Sequence, residues 1–428
     1  MKYSISDTSG VSFATVTSSK LKTFVAYISV DIHEEQTARL RAAQLLYTDA
    51  LISGAGKYSR AAFLDAINSL GATVSANISD GVFTLRLRCA VDVSKKILSL
   101  VETMLLEPHF DTKELKRIKL TVVNNIKESK EDSRAIAHEQ LRNTFYGQHD
   151  RRYTFEDEAL IKNIATIAPK DLQVLHKKIC AVSWTCSVAT TEDAIINMKK
   201  TVAKVKRSAK KDSGLLGIHQ QRPPQPLLIL RDIPSKQNID FSIGVPVPIT
   251  FHHPDFIPLS FGLMVLGGAG FASRLMSTVR EEEGLTYGIH AQAATFLNEE
   301  QGYIRIATFF APDKALQGLK STFREIKKMH DFGIDKKELT QYKTIYQTKL
   351  ALLKDSTARQ LGDLHAYHLQ KFTLEEIIEH KKRVDTLTLK EVNTAIRHYL
   401  TPANFTVSGA GPTVSVQKAL KAFIKTVA

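Results

Sequence analysis

The sequence predicts an α+β protein of two homologous domains, each an antiparallel-rich sheet covered by helices. Three observations point there. The chain repeats itself across a break near its midpoint. Each half alternates strand-like stretches of apolar period two with helix-like stretches whose apolar positions recur at three and four. With 428 residues, 43% of them hydrophobic, the chain is large enough for more than one core.

The first half opens with a strand pair, "VSFATVTSS" and "TFVAYISVDI". A helix follows and closes on the Gly-Ala-Gly turn of "QLLYTDALISGAGKYS", Gln44 to Ser59. Then come a second helix, strands such as "VFTLRLRCAV", and long amphipathic helices such as "KELKRIKLTVVNNIKESKED". A final helix and strand complete the half. "KKDSGLLGIHQQRPPQPL", Lys210 to Leu227, mixes Lys, Gly, Gln and Pro and reads as a linker. The second half begins again with a strand pair, "PLLILRDI" and "IDFSIGVPVPI". The expected domains are therefore residues 1–209 and 227–428, joined by 210–226.

The two halves match in detail. "GAGKYSR" (Gly54 to Arg60) returns as "GAGFASR" (Gly268 to Arg274), 214 positions later. "FTLRLRCAVDVSKKIL" from Phe83 matches "YIRIATFFAPDKALQGL" from Tyr303, and "FDTKELKRIK" from Phe110 matches "IDKKELTQYK" from Ile334. "YTFEDEALIKNIATIAPKDL" from Tyr153 matches "FTLEEIIEHKKRVDTLTLKEV" from Phe372. Such consistent offsets mark a duplicated domain.

Composition narrows the function classes. The opening stretch has no apolar run behind its lysine, so no secretory signal is expected, and no run suffices to span a bilayer. Three cysteines, Cys89, Cys180 and Cys186, are too few for a disulfide scaffold and fit a reducing compartment, so a cytoplasmic setting is expected. The net charge of +14 is spread along the chain except in "MKKTVAKVKRSAKK", Met198 to Lys211. No aromatic residue interleaves there, so a solvated helix end or linker is expected rather than a nucleic-acid surface.

Candidate metal and nucleophile motifs fail one by one. "HEQLR" from His138 begins like H-E-x-x-H but ends in Arg142. His365 and His368 share one face of an expected helix with no acidic or Cys partner nearby, and read as a helix-surface pair. His252-His253 reads as a loop before Pro254, and His176 and Cys180 as positions on a packing helix. "GGAGFAS" lacks the Gly-Lys-Ser/Thr of a phosphate loop, and no G-x-S-x-G elbow or cysteine-nucleophile signature is present.

Three stretches, in order, resemble the pitrilysin family, which includes insulin-degrading enzyme and mitochondrial processing peptidase. "SGAGKYSRAAFLDAINSLGATVSANISDG" resembles the segment after the family's zinc motif. "FYGQHDRRYTFEDEALIKNIATIAPKDLQVLHKKIC" resembles the segment after its third zinc ligand. "SRLMSTVREEEGLTYGI", Ser273 to Ile289, resembles its C-terminal signature, a helix, a Gly and a strand bearing an Arg and a Tyr. Active members share an H-x-x-E-H helix, in which the histidines bind zinc from one face and the Glu activates water. A third ligand, a Glu, follows about 75 residues later from another helix.

The resemblance puts the five motif positions on Leu45, Leu46, Tyr47, Thr48 and Asp49, and the third ligand on Asn125, 76 positions beyond Asp49. Leu45 cannot bind metal, Thr48 cannot serve as the general base, and Asn125 beside Asn124 is a poor zinc ligand. Asp49 could ligate, but one carboxylate makes no zinc site. Tyr47, Thr48 and Asp49 are expected on a helix side that is polar because it faces the family's old cleft.

What the resemblance leaves is Arg280, near the end of a helix stopped by Gly284, and Tyr287, on the strand expected next. Spacing alone also allows Arg280 to pair with Glu281 or Glu283 and Tyr287 to pack in a sheet. In the family this pair reaches toward substrate, and heteromeric members divide zinc and Arg/Tyr between chains. An Arg fork and a Tyr hydroxyl hold a peptide carbonyl or the oxyanion formed when it is attacked. The expectation is a subunit with no catalytic residue, metal or cofactor of its own, with zinc in a partner. That partner is a zinc-bearing paralogue in a heterodimer, or a second copy, with a peptide or unfolded polypeptide as substrate, added as a strand to a sheet edge, and no nucleic acid or membrane. The alternative is a structural subunit of a larger complex with no part in proteolysis.

Overall fold

In a computed structural model of the chain the described residues are 1–8, 10–32, 34–129, 131–207, 222–224, 227–294 and 300–427. Most of the expected linker 210–226 lies outside them. The chain forms two compact units. One comprises residues 1–127, 149–217 and 352–377, the other 128–148, 218–351 and 378–428.

In chain order the first half supplies β1 (Lys2–Thr8), β2 (Val11–Thr17), β3 (Thr23–Asp31), α1 (Ala38–Leu51), α2 (Arg60–Asn68), β4 (Thr73–Ser79) and β5 (Val82–Ala90). It continues with α3 (Ser94–Leu106), α4 (Thr112–Ser129), α5 (Ser133–Phe145), α6 (Asp157–Thr166), α7 (Pro169–Ala181), β6 (Trp184–Thr190) and α8 (Glu192–Arg207). The second half supplies β7 (Leu228–Asp232), β8 (Ile239–Pro246), α9 (Phe256–Leu263), β9 (Ile289–Ala294) and β10 (Tyr303–Phe310). It ends with α10 (Ala315–Phe332), α11 (Lys336–Leu353), α12 (Thr357–Leu369), α13 (Leu374–Thr386), α14 (Leu389–Tyr399), β11 (Thr406–Gly411) and α15 (Gln417–Val427).

The duplication is visible in the sheets. The first sheet runs β1-β2-β6-β3-β5-β4 and the second β7-β11-β8-β10-β9. Apart from β1, which has no counterpart among the described residues, the orders correspond strand for strand. In each sheet one pair is parallel, β2 with β6 and β7 with β11, and the rest are antiparallel. Alternation along each strand buries one face. In β3, Phe24, Ala26, Ile28 and Val30 join a core with Leu46 of α1, Ile97 and Val101 of α3 and Leu172 of α7. In the second unit Phe241 and Ile243 of β8 meet Leu259 of α9, Ile326 of α10 and Ile396 of α14.

The opposite face of each sheet is rich in hydroxyls, and a helix from the other half of the sequence covers it. In the first unit α12 lies on β2, β3 and β6. His365 joins Ser29 Oγ through Nε2 and Ser187 Oγ through Nδ1, each at 2.8 Å, and stacks on Tyr27 with ring centroids 5.1 Å apart. His368 joins Ser12 Oγ at 2.8 Å and Ser187 Oγ at 3.1 Å. Both histidines are buried. The expected helix-surface pair is thus an interior one, because this helix has a sheet on the side where they lie. In the second unit α5 covers β8 and β11, with His138 Nε2 2.5 Å from the Tyr303 hydroxyl and Ser408 bonded to Gln140 at 3.2 Å.

The basic stretch from Met198 forms the end of α8 up to Arg207, and Ser208 to Lys211 lie outside the described residues. Among the described residues, no helix is long and apolar enough to cross a membrane.

Candidate functional site

Helix α1 starts where Thr37 Oγ1 accepts the Leu40 amide at 3.1 Å, satisfying one of the free N–H groups of the first turn. Along it Leu45 and Thr48 are half-buried and Asp49 is exposed, whereas Leu46 and Tyr47 are fully buried. Tyr47 therefore does not share a polar side with Thr48 and Asp49, as the sequence had suggested. It points into the core against Phe83 and Phe110.

Its hydroxyl meets His176 Nδ1 at 2.8 Å, on α7. His176 Nε2 lies 2.9 Å from the carbonyl of Leu105, which can only accept, so Nε2 carries the proton. Nδ1 is then the acceptor and Tyr47 the donor. Burial holds the imidazole neutral by lowering its pKa and pushes the phenol well above its ordinary range. Cys180 Sγ lies 3.6 Å from the same imidazole, and burial raises its thiol to about 12. All three groups are structural. Tyr47→Phe leaves His176 Nδ1 buried without a donor and should cost about 1–2 kcal/mol, measured by urea unfolding.

Asn125 lies on the exposed side of α4, as does Asn124. No hydrogen bond joins Asn125, Thr48 and Asp49 to one another. The fit of zinc to these positions fails on donor chemistry: a hydrocarbon, a hydroxyl, an amide and one exposed carboxylate, with Tyr47 committed to His176. Elsewhere, among the described residues, no three His, Cys, Asp or Glu side chains cluster in a way that could hold a metal ion.

The repeated turn gives the second unit a different outcome. Ser273 Oγ donates to the Gly270 carbonyl at 2.6 Å, and the Tyr342 hydroxyl of α11 donates to the Ala272 carbonyl. Arg274 forks onto Glu338, with Nε to Oε1 and Nη2 to Oε2 both at 2.7 Å, and Nη2 also reaches the Gly333 carbonyl at 2.9 Å. The first unit repeats this pair loosely: Arg60 lies 3.7 Å from Glu114, at the corresponding positions of the duplicated sequence.

From this anchored turn runs a helical segment whose last part, Met276–Glu282, is a π-helix. Its wider winding departs from the α-helix expected there and shifts which side chains share a face; π-turns recur at functional sites. It ends at Gly284, φ +59°, a left-handed residue that lets the Leu285 amide return to the Val279 carbonyl at 3.0 Å. Arg280 sits before that stop. Among the described residues it has no ion pair; its guanidinium lies over the ring of Phe271, 4.5 Å from the centroid.

Tyr287 is not on a strand, since β9 begins at Ile289. It crowns the preceding loop, and the two residues flanking it are pinned. Thr286 and Thr308 hydroxyls donate to the Gly288 carbonyl at 3.2 and 3.1 Å, and the Gly288 amide returns to Thr286 Oγ1 at 3.3 Å. Tyr287 is 82% exposed on this fixed loop. The two ordinary structural roles open to the pair, an ion pair for Arg280 and sheet packing for Tyr287, are both absent among the described residues. No hydrogen bond links the two side chains to each other.

Comparison with known proteins agrees with the duplicated fold. Residues 45–157 match the family model described as insulinase, peptidase family M16, and residues 185–346 match that of the peptidase M16 inactive domain. The first match begins at Leu45 and runs past Asn125, so it spans the substituted motif. The chain belongs to the M16 (insulinase, pitrilysin) peptidase family, as a homologue of the inactive kind with a degenerate zinc motif. Among solved structures, a peptidase M16 inactive domain from Pseudomonas fluorescens is similar at 23% identity, with a TM-score of 0.86 over 97% of this chain and 98% of that one. A protease from Helicobacter pylori aligns at 14% identity and a TM-score of 0.80, covering 96% and 99%. The periplasmic protease PqqL from Escherichia coli aligns at 16% identity and a TM-score of 0.75; 94% of this chain covers 44% of that one. At these identities the structures show the shared fold. No curated protein matches the sequence.

Proposed function

We propose that this chain is a non-catalytic, peptide-binding subunit of a zinc metallopeptidase, which contributes Arg280 and Tyr287 and part of the chamber wall to a zinc-bearing partner. The partner is a paralogous subunit in a heterodimer, or a second copy of this chain, and the oligomeric state of the mixture distinguishes the two. The observation that carries this reading is the state of the pair: a guanidinium without a carboxylate among the described residues and a phenol 82% exposed on a pinned loop. Groups held fixed yet unsatisfied are suited to a ligand that arrives later.

The chemistry follows from the residue types. Arg280 offers a planar fork of N–H donors and Tyr287 one O–H donor. Together they hold a peptide carbonyl oxygen and stabilise the negative charge it gathers during hydrolysis. The peptide lies as an added strand on a sheet edge, which fixes its main chain while leaving the sequence free. Three free and buried cysteines support a reducing setting such as the cytoplasm.

The test is peptide hydrolysis by this chain mixed with a family member that carries H-x-x-E-H. Arg280→Ala should lower kcat/KM by about tenfold or more, and Tyr287→Phe by a smaller factor. Full activity in both variants would remove the proposed role.

A further inference from the structure

Two neighbours account for Arg280 having no carboxylate partner among the described residues. Glu283 stands three residues further along, at the C-terminal end of the π-helix that carries Arg280. Its carboxylate accepts from Nη2 of Arg324 on α10. Arg324 is itself held by donation to Ser321 Oγ at 2.9 Å and by Glu325, 3.7 Å from its Nε. On the other side, the Phe271 ring, 61% exposed, supports the Arg280 guanidinium from its face. A ring face attracts a cation without taking up the N–H donors in the guanidinium plane.

We propose that Arg324 and Phe271 are positioning residues that keep Arg280 uncommitted for a peptide carbonyl, Arg324 by drawing Glu283 away and Phe271 by carrying the guanidinium on its ring. This deepens the peptide-binding reading and rests on it for the identity of the ligand. The geometric part stands on its own. The carboxylate of Glu283, close to Arg280 in sequence, is taken by a second arginine, and the Arg280 guanidinium rests on an aromatic surface.

Phenylglyoxal modification of Arg280 in the full-length chain, followed by peptide mass mapping, reads its availability without any partner. Arg324→Gln releases Glu283 toward Arg280 and should slow modification about two- to fivefold, the range of an exposed ion pair. The double variant Arg324→Gln/Glu283→Gln should restore the original rate, which a merely structural loss would not do. An unchanged rate in Arg324→Gln, or no restoration in the double variant, overturns the inference.

These variants, together with Phe271→Leu and Phe271→Trp, are then assayed for kcat/KM on a fluorogenic decapeptide-length substrate with a zinc-bearing family member present. Phe271→Leu should lower it, and Phe271→Trp, which keeps a ring face, should retain it. Modification rates that follow the expected pattern while kcat/KM stays flat leave the positioning role standing and remove the peptide-binding reading.

Discussion

Replacing Gly333 by alanine should lower the free energy of unfolding by about 3–5 kcal/mol, from backbone strain plus lost hydrogen bonds. Gly333 ends α10 at φ +70° and ψ −153°, a region that a residue with a Cβ adopts only under strain. A Cβ there would also stand 2.3 Å from Asn393 Oδ1 and 2.4 Å from its Cγ. Asn393 cannot simply move aside, because its side chain accepts the Ile334 amide at 2.8 Å and donates to the Ile334 carbonyl at 3.0 Å. The Gly333 carbonyl in turn receives Arg274, so the strain reaches the anchored turn that precedes Arg280. Urea unfolding measures the loss, and Asn393→Ala should cost less, since it removes the clamp without straining the backbone.

Stability should also fall steeply on acidification, through the helix α12 interface. Burial lowers the pKa of His365 to about 3 and that of His368 to about 4, with the mutual repulsion of the pair and Arg86 acting on His365 in the same direction and Asp7 partly opposing it on His368. The folded values lie below the unfolded value of 6.5, so the unfolded chain takes up protons first. The contribution of the neutral pair is complete above 6.5 and is lost as pH falls through 4. Over that window each proton bound only by the unfolded chain costs about 1.4 kcal/mol per pH unit. The double variant His365→Gln/His368→Gln removes this component and should flatten the dependence relative to wild type, measured by urea unfolding at several pH values. Parallel curves would mean that the histidines are not held neutral against Ser12, Ser29 and Ser187.

The duplicated α+β fold was legible because the repeat fixes two copies of one strand-and-helix order, and period-two runs such as "FTLRLRCA" admit few other readings. Pairing was less so. Periodicity does not say that β2 runs parallel to β6, nor that a helix in one half covers the sheet of the other, since both depend on contacts far apart in sequence. A signal for the buried histidines was present. Leu361, Leu364, His365 and His368 recur at the spacing of one helix face, and the histidines belonged to that face. Tyr47 likewise follows Ala43 and precedes Ala50 and Leu51 on a buried stripe, and its polar hydroxyl does not bring it to the surface. The π-turn before Gly284 leaves no local mark in "RLMSTVREEEG". Tyr287 fell on the loop because Thr286 and Gly288 bond to each other across it, which delays β9 by two residues.

The substituted motif helix lacks the donors for zinc, and the proposed role of this chain rests on Arg280 and Tyr287. The most direct test of that role is zinc content and peptide turnover of the purified full chain, before and after mixing with a family member that carries H-x-x-E-H. The expected result is no bound zinc and no turnover by this chain alone. The mixture should show turnover above that of the partner alone, lost again in Arg280→Ala. One zinc per chain with turnover in the absence of a partner, or a mixture no more active than the partner itself, would contradict that role.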